Sequence, residues 1–307
     1  MKKKISYVIL LVATVIWGFA FVAQKAAIIL PPFTVCAARS IIATLFLIAI
    51  IPLTDRITQN GRKLLNEKRR PDITREEFIG GAILGVILTA ASAFQQAALS
   101  DTDAGKAAFI TTLYIVFVPL FSAFLGKRPK ATVLISIPVS IIGFYLLCIK
   151  PGVGIAAGDL MVLACALIFS GHIIVVDKFS AKCDGVRLSL VQFAVSSLLN
   201  VAIGLIADGI PKADVLLIAL PSLLFLGIGS SGIAYTLQII GQKGSDPAVA
   251  SLILSMESVF AVIGAAIVLG ERLSTREYIG CAVVLVAVIL AQADIKFSKN
   301  DNTTQLF

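Results

Sequence analysis

Charge is scarce in this chain. Only 14% of its 307 residues are Asp, Glu, Lys or Arg, against roughly 25% in soluble domains, and that shortage excludes an ordinary water-facing globule. There is one histidine and one tryptophan, and the five cysteines (Cys36, Cys148, Cys165, Cys183, Cys281) stand singly with no C-x-x-C pair. A metal centre needs clustered ligands and a disulfide framework needs paired thiols. Neither is expected, and the cysteines read as small buried apolar residues. No G-x-x-x-x-G-K-[ST] occurs, so the chain carries no phosphate loop for ATP. Runs of about ten residues with the strict alternation of a transmembrane barrel are missing as well.

Apolar sequence is abundant instead, at 58% of residues and a mean hydropathy of +0.97. It comes in blocks of about 20, the length at which a helix rising 1.5 Å per residue crosses ~30 Å of hydrocarbon. The blocks predict ten spans, near 7–27, 34–53, 78–98, 104–125, 131–149, 158–178, 187–207, 215–240, 247–269 and 276–293. The first follows Met-Lys-Lys-Lys as a signal peptide would, yet it is too long for such a segment and reaches Gln24 and Lys25 without an A-x-A site. It is expected to stay as the first span. The fold class expected is an all-α polytopic membrane protein set in the lipid bilayer.

Ten spans put both termini on one side. Nineteen of the 26 Lys and Arg residues then fall on that side, in the N-terminus, the polar 54–77 loop, the 126–130 loop, the 178–187 region, Lys243 and the 294–307 tail. The other side has seven: Lys25, Arg39, Lys106, Lys150, Lys212, Arg272 and Arg276. The positive-inside bias places both termini in the cytoplasm, at the cell membrane. Topology and the anionic inner leaflet also account for the net charge of +8, so no nucleic-acid partner is invoked.

Two phrases, "FLGKRP" (124–129) and "VLGERL" (268–273), close apolar runs 144 residues apart, while Asp103 and Asp246 open the same runs 143 apart. A one-residue indel reconciles the two ends. Span one laid on span six at an offset of 153 puts Ala13 on Ala166 and Gly18 on Gly171. The chain thus divides into halves, 1–150 and 151–293, of five spans each. An odd number forces the second half to enter the membrane from the opposite side. Inverted five-helix repeats are the architecture of secondary transporters, whose substrate site lies between the repeats at mid-membrane.

Three stretches carry a resemblance that covers essentially the whole chain: "VIWGFAFVAQK" in span one, "DTDAGKAAFITTLYIVFVPL" (101–120) and "LILSMESVFAVIGAAIVLGERL" (252–273). The sequence resembles the EamA-type family of the drug/metabolite transporter (DMT) superfamily. It departs from that pattern in having Ser258 where the family commonly has Pro, and Leu-Gly-Lys-Arg at 125–128 in place of Leu-Gly-Glu-Arg. The resemblance implies movement of small polar or amphipathic metabolites, with amino acids the commonest case, and no cofactor.

Ionisable residues in hydrocarbon are costly and default to functional candidates. Seventeen of the 18 acids lie in loops, in the tail or within about three residues of a span end; the exception is Glu257, near the middle of span nine. It reads either as a partner for a substrate amine or coupling proton, or as a structural anchor between helices. The repeat aligns it with Tyr114 or Leu113, so Tyr114 is a second candidate near the midplane, against a packed aromatic. Trp17 sits at the centre of span one instead of in an interfacial belt. His172, Gln95, Gln96 and Tyr235 complete the pathway candidates, although such residues more often join helices, as Gln192, Asn200 and Gln238 are expected to do. Lys25 and Arg39, near outer span ends, are expected to snorkel to the headgroups, with attraction of anionic substrate groups as the alternative.

"GIGSSG" (227–232) follows no strand, so it is not a dinucleotide fingerprint; like "GAILG" (81–85) it suits close helix approach. A serine protease is rejected because the sole histidine precedes those serines and the span count does not fit. No convergent nucleophile and base are found, so an enzyme is not expected. The leading reading is a secondary carrier of a small-molecule substrate, with H+ as a candidate coupling ion. An intramembrane enzyme or a non-transporting scaffold or channel is the alternative, and the sequence does not fix the oligomeric state.

Overall fold

In hydrocarbon every backbone N–H and C=O must be bonded within the chain, and a helix does this locally. The structure, a computed structural model, describes residues 2–63, 73–124, 126, 131–148, 155–243 and 247–292, which are helical with no strand among them. The first half contains α1 (Lys2–Ala26), α2 (Pro32–Lys63), α3 (Arg75–Ala98), α4 (Ala104–Thr111), α5 (Tyr114–Phe124) and α6 (Ala131–Cys148). The second contains α7 (Ala157–Ser180), α8 (Gly185–Ala207), α9 (Ala213–Leu224), α10 (Tyr235–Gln242), α11 (Pro247–Ser255), α12 (Glu257–Gly264) and α13 (Thr275–Gln292). A π-helical stretch, Phe225–Ala234, joins α9 to α10, and a π-helical turn, Ala265–Leu269, extends α12. Among the described residues seven stretches are long and apolar enough to cross a membrane, with two shorter apolar helices, Leu134–Leu146 and Ile253–Leu269, beside them. Large apolar side chains such as Ile206 (89% exposed) and Ile218 (72%) face outward, as a lipid-facing surface requires.

Residues 64–72 of the basic loop, Lys127 to Lys130, Lys150, Asp246 and the 294–307 tail lie outside the described residues. The part of the loop that is described is helical, because α2 does not stop near 53 but runs through Pro52 to Lys63. Asp55 on this extension accepts two bonds of 2.9 Å from Arg187 Nη2 at the start of α8. Glu77 closes a capping box with Thr74 at the head of α3 and accepts the Asp184 N–H at 2.9 Å, so the same end of the bundle is tied across three helices.

The opposite end is tied separately. Lys25 does not snorkel: its Nζ donates to the carbonyls of Leu99 (2.6 Å) and Thr102 (2.8 Å), filling acceptors that the end of α3 leaves open. Lys106 and Asp159 form a buried ion pair at 2.6 Å between α4 and α7, and the Thr102 hydroxyl donates to Asp159 at 2.9 Å. Glu271 accepts from the Ala104 (3.2 Å) and Gly105 (3.4 Å) N–H groups, supplying the N-terminal cap of α4 that the Asp103 side chain does not make.

Between these ends the helices touch at small residues, since lipid offers no hydrophobic drive between helices and close packing must replace it. A Cβ on Gly18 would overlap Phe260 Cβ, and on Gly227 it would lie 2.5 Å from Ile42 Cβ. Gly81 and Gly85 meet Val191 and the Gln192 carbonyl in the same way. Two rods, expected as continuous spans 104–125 and 247–269, are broken, at Thr112–Leu113 and at Met256. No proline is needed at either. Thr112 Oγ1 bonds back to Phe109 O (2.7 Å) and Ser258 Oγ to Ser255 O (2.8 Å), contacts that bend helices. Each rod ends at a glycine in the left-handed region, Gly126 at φ 87° and Gly270 at φ 69°, so both Leu-Gly phrases act as helix stops.

Candidate functional site

Tyr114 and Glu257 are the first residues after the two breaks. The Tyr114 hydroxyl donates to Glu257 Oε1 at 3.2 Å, with both side chains buried. Beside them lies a cavity of about 40 Å³. Helix α1 contributes Trp17, Phe21 and Gln24 to its wall, α2 contributes Arg39, and α3 and α4 contribute Gln95 and Thr111. Phe169 and Ile173 of α7, Ser230 of the π-helical stretch, and Tyr235 and Gln238 of α10 close the other side.

Arg39 corrects a second expectation. It is 5% exposed and points into the bundle, where Nε donates to Ser231 Oγ and Nη2 to Ser230 Oγ, each at 3.0 Å. Gln24 Oε1 lies 3.5 Å from Nη1. The π-helical stretch makes this possible, because its wider turn sets Ser230 and Ser231 side by side toward α2. Its small glycines meanwhile let α2 come close, as expected for "GIGSSG".

Trp17 packs edge-on against Tyr235, with ring centroids 4.7 Å apart, and its Nε1–H donates to the Ser230 carbonyl at 3.3 Å. Tyr235 is backed by Phe193 at 5.5 Å and His172 at 5.9 Å. His172 therefore stands behind the wall, not in it, with Nε2 3.0 Å from Gln192 Oε1. Gln96 also lies outside the lining and donates to the Gln24 carbonyl at 3.1 Å, whereas Gln95 faces the cavity and reaches Thr111 Oγ1 at 3.5 Å. Of the seven residues singled out from sequence, the structure brings Trp17, Gln95, Tyr114, Tyr235 and Glu257 to one cavity and sets His172 and Gln96 behind it.

Sequence reading set Arg39 first at the headgroups, took Gln238 for a helix-joining residue and missed Gln24, Thr111 and Ser230 as parts of the wall. A signal for Arg39 existed. It occupies the face of α2 that carries Cys36, Ser40, Ala43 and Leu47, a helical stripe of small and buried residues, so a residue on that face points to protein and not to lipid. The cavity combines a carboxyl group, a guanidinium, amides and aromatic faces, which suits reversible binding of a small polar molecule. Among the described residues no three His, Cys, Asp or Glu side chains cluster as a metal site would require.

A family model described as "EamA-like transporter family" matches the chain over residues 4–149 and again over 156–292. A protein of Archaeoglobus fulgidus described as an uncharacterized transporter is 27% identical over 287 residues, covering 92% of this chain and 83% of that protein. A solved crystal structure superposes with a TM-score of 0.66 at 21% identity, covering 94% of this chain and 97% of its own, a likeness of fold.

Proposed function

Because the chain belongs to the EamA-like transporter family, within the drug/metabolite transporter superfamily, we infer that it is a secondary carrier working by alternating access around the central cavity. It moves a small-molecule metabolite across the cell membrane, with the termini in the cytoplasm as the lysine and arginine distribution favours. The observation that carries this reading is the Tyr114–Glu257 contact. It joins two broken helices at corresponding points of the two halves, beside a polar cavity.

The packing supports an inverted repeat of ten spans. Helix α6 lies on α13, α2 on α8, and the α4–α5 rod on the α11–α12 rod, each with its own counterpart. Further contacts are reciprocal between the halves: α1 packs on α12 as α7 packs on α5, and α1 on α10 as α7 packs on α3. Such reciprocity lets one arrangement rock into its mirror state about a fixed site. The buried polar ties at the end away from the N-terminus then hold one side shut. In this scheme Glu257 exchanges its bond with Tyr114 for a substrate group or a coupling proton, and Trp17 and Tyr235 bound the pathway.

Counterflow into proteoliposomes loaded with a metabolite library tests the reading. Saturable uptake that is accelerated by substrate on the far side is the expected result. Flux without such acceleration indicates a channel, and no flux across the library refutes transport. Glu257→Gln is expected to insert normally and to lose at least about tenfold in uptake. Unchanged flux with an unchanged pH profile in that variant would remove Glu257 from the mechanism.

A further inference from the structure

A second recess, of about 240 Å³, opens between α2, α8 and the start of α9 and shares no wall residue with the central cavity. Ala37, Ala38 and Ile41 form its α2 wall, and Val201, Gly204 and Leu205 its α8 wall. Leu45, Ile206, Ile210 and Leu217, on the same elements, are exposed, so the mouth of the recess faces lipid. Two polar side chains reach the wall. The Thr34 hydroxyl is taken, donating to Asp208 Oδ2 at 3.0 Å. Asn200 is fully buried, and its Nδ2 donates to the Ser196 carbonyl (2.8 Å) and hydroxyl (3.1 Å), bonds that stay within α8 and do not join helices as expected. Its Oδ1 has no hydrogen-bond partner. An acceptor left open in a buried wall bears its full desolvation cost, and hydrocarbon has no donor to offer it. Water answers poorly as well, because a buried water needs about two to four polar partners and this wall has one open acceptor.

We propose that this recess binds a membrane-dissolved amphiphile, an apolar chain bearing one hydroxyl that donates to Asn200 Oδ1, and that the occupant clasps α2 to α8. The volume suits a chain of about eight heavy atoms, each taking about the space of a water. Apolar walls with one placed polar group are how small-ligand sites fix orientation. Asn200 stands seven residues before the end of α8 at Ala207, about 10 Å along the helix. At that depth a glycerophospholipid presents ester oxygens, which only accept, and bare methylenes. Its tails can fill the space but leave the acceptor open, whereas a hydroxylated chain fills both. The site stands apart from the carrier reading, since its residues line a separate space. Its consequence falls on the two halves, because α2 belongs to the first and α8 to the second. Hydroxyl pairs already join these helices, Ser40 with Ser196 (3.3 Å) and Thr44 with Ser197 (3.2 Å). An occupant touching both walls adds to this seam and favours the present arrangement over any that slides α2 along α8.

The test uses the purified full chain in nanodiscs, with a diazirine-bearing 1-octanol as photolabel and mass spectrometry to map the labelled peptides. Unlabelled 1-octanol competes against its isomer 1-methoxyheptane, which lacks the donor, at matched bilayer concentrations fixed with empty nanodiscs. Saturable labelling within residues 34–41 and 200–216 is expected. The alcohol is expected to compete about tenfold better than the ether, the worth of one buried hydrogen bond. Asn200→Leu is expected to erase that difference, and Ala38→Leu, which fills the α2 wall, to remove the labelling. Equal competition by the ether means a groove for any acyl chain and overturns the proposal. So does labelling that does not saturate, or that saturates only in the central cavity at Trp17, Phe21 and Phe169. The comparison of alcohol with ether is made on the unmodified protein, so it decides the matter even where a variant fails to fold. At matched concentration the alcohol is also expected to raise the thermal unfolding midpoint above that with the ether; equal midpoints would overturn the clasping of α2 to α8.

Discussion

Replacing Lys106 with methionine isolates the cost of a buried, unpaired carboxylate. The Lys106 and Asp159 side chains are 6% and 0% exposed and meet at 2.6 Å, and the Thr102 hydroxyl is the other bond described for Asp159. Water cannot replace the ammonium without opening the α4–α7 contact. The loss therefore belongs to the class of broken buried pairs, about 3–5 kcal/mol, and not to exposed pairs, which contribute about 0–1 kcal/mol. Removing both charges, as Lys106→Met with Asp159→Leu, eliminates the stranded group and restores most of that loss, because a buried pair roughly breaks even against apolar packing. Reversible unfolding of the full chain by SDS titration in mixed micelles gives all four corners of the cycle. A coupling energy of about 2 kcal/mol or more is expected. If Lys106→Met lies within about 0.5 kcal/mol of the parent, the pair is solvated and the argument for a sealed end of the bundle fails.

Gly18→Leu is expected to cost about 1–3 kcal/mol or to prevent folding, because its Cβ already meets Phe260, with the Phe260 carbonyl carbon at 2.9 Å. Gly171→Ala, at the aligned position of span six with nothing within 4 Å, is expected to be neutral or to gain up to about 1 kcal/mol; a reversed order in thermal unfolding would refute the packing argument. Glu271→Ala removes the cap on α4 and is expected to cost about 0.5–2 kcal/mol, with faster amide exchange at Ala104 and Gly105 than in the parent. Tyr114→Phe deletes one bond to Glu257 and is expected to slow counterflow several-fold while leaving more activity than Glu257→Gln; equal losses would mean that the hydroxyl, not the carboxyl, is the essential group.

Much of this was readable in one dimension because membrane constraints act along the chain. Continuous apolar blocks can satisfy their backbone only as helices, and a lone acid twelve residues before Leu269 has to sit at depth, which is why Glu257 stood out. Tyr114 followed from counting. What failed was azimuth. His172 and Gln96 touch residues of the cavity wall, Tyr235 and Gln24, but a helix turned by one residue, about 100°, decides whether a side chain enters a cavity or supports its wall. Arg39 failed for a different reason. Its distance from the span end allows either snorkelling or inward pairing, and the choice depends on Ser230 and Ser231, 191 and 192 residues away. Neither break has a proline at it, Pro119 lying further along α5, and Thr112 and Ser258 act through hydroxyl bonds that leave little compositional trace.

The π-helical turn at Ala265–Leu269 bears on how the second half tolerates its extra residue. Tyr114 and Glu257 are 143 positions apart and Gly126 and Gly270 are 144, so the added residue falls between Glu257 and Gly270, on the segment that contains the turn. In an α-helix one more residue would rotate everything beyond it by about 100°, swinging Glu271 away from the head of α4. A π turn houses the residue by widening instead, so the phase of the helix is the same before and after it. Deleting one residue within 265–269 should therefore relax the turn to α-helix and keep Glu271 on Ala104, whereas the same deletion in α12 would rotate Glu257 or Glu271 out of place.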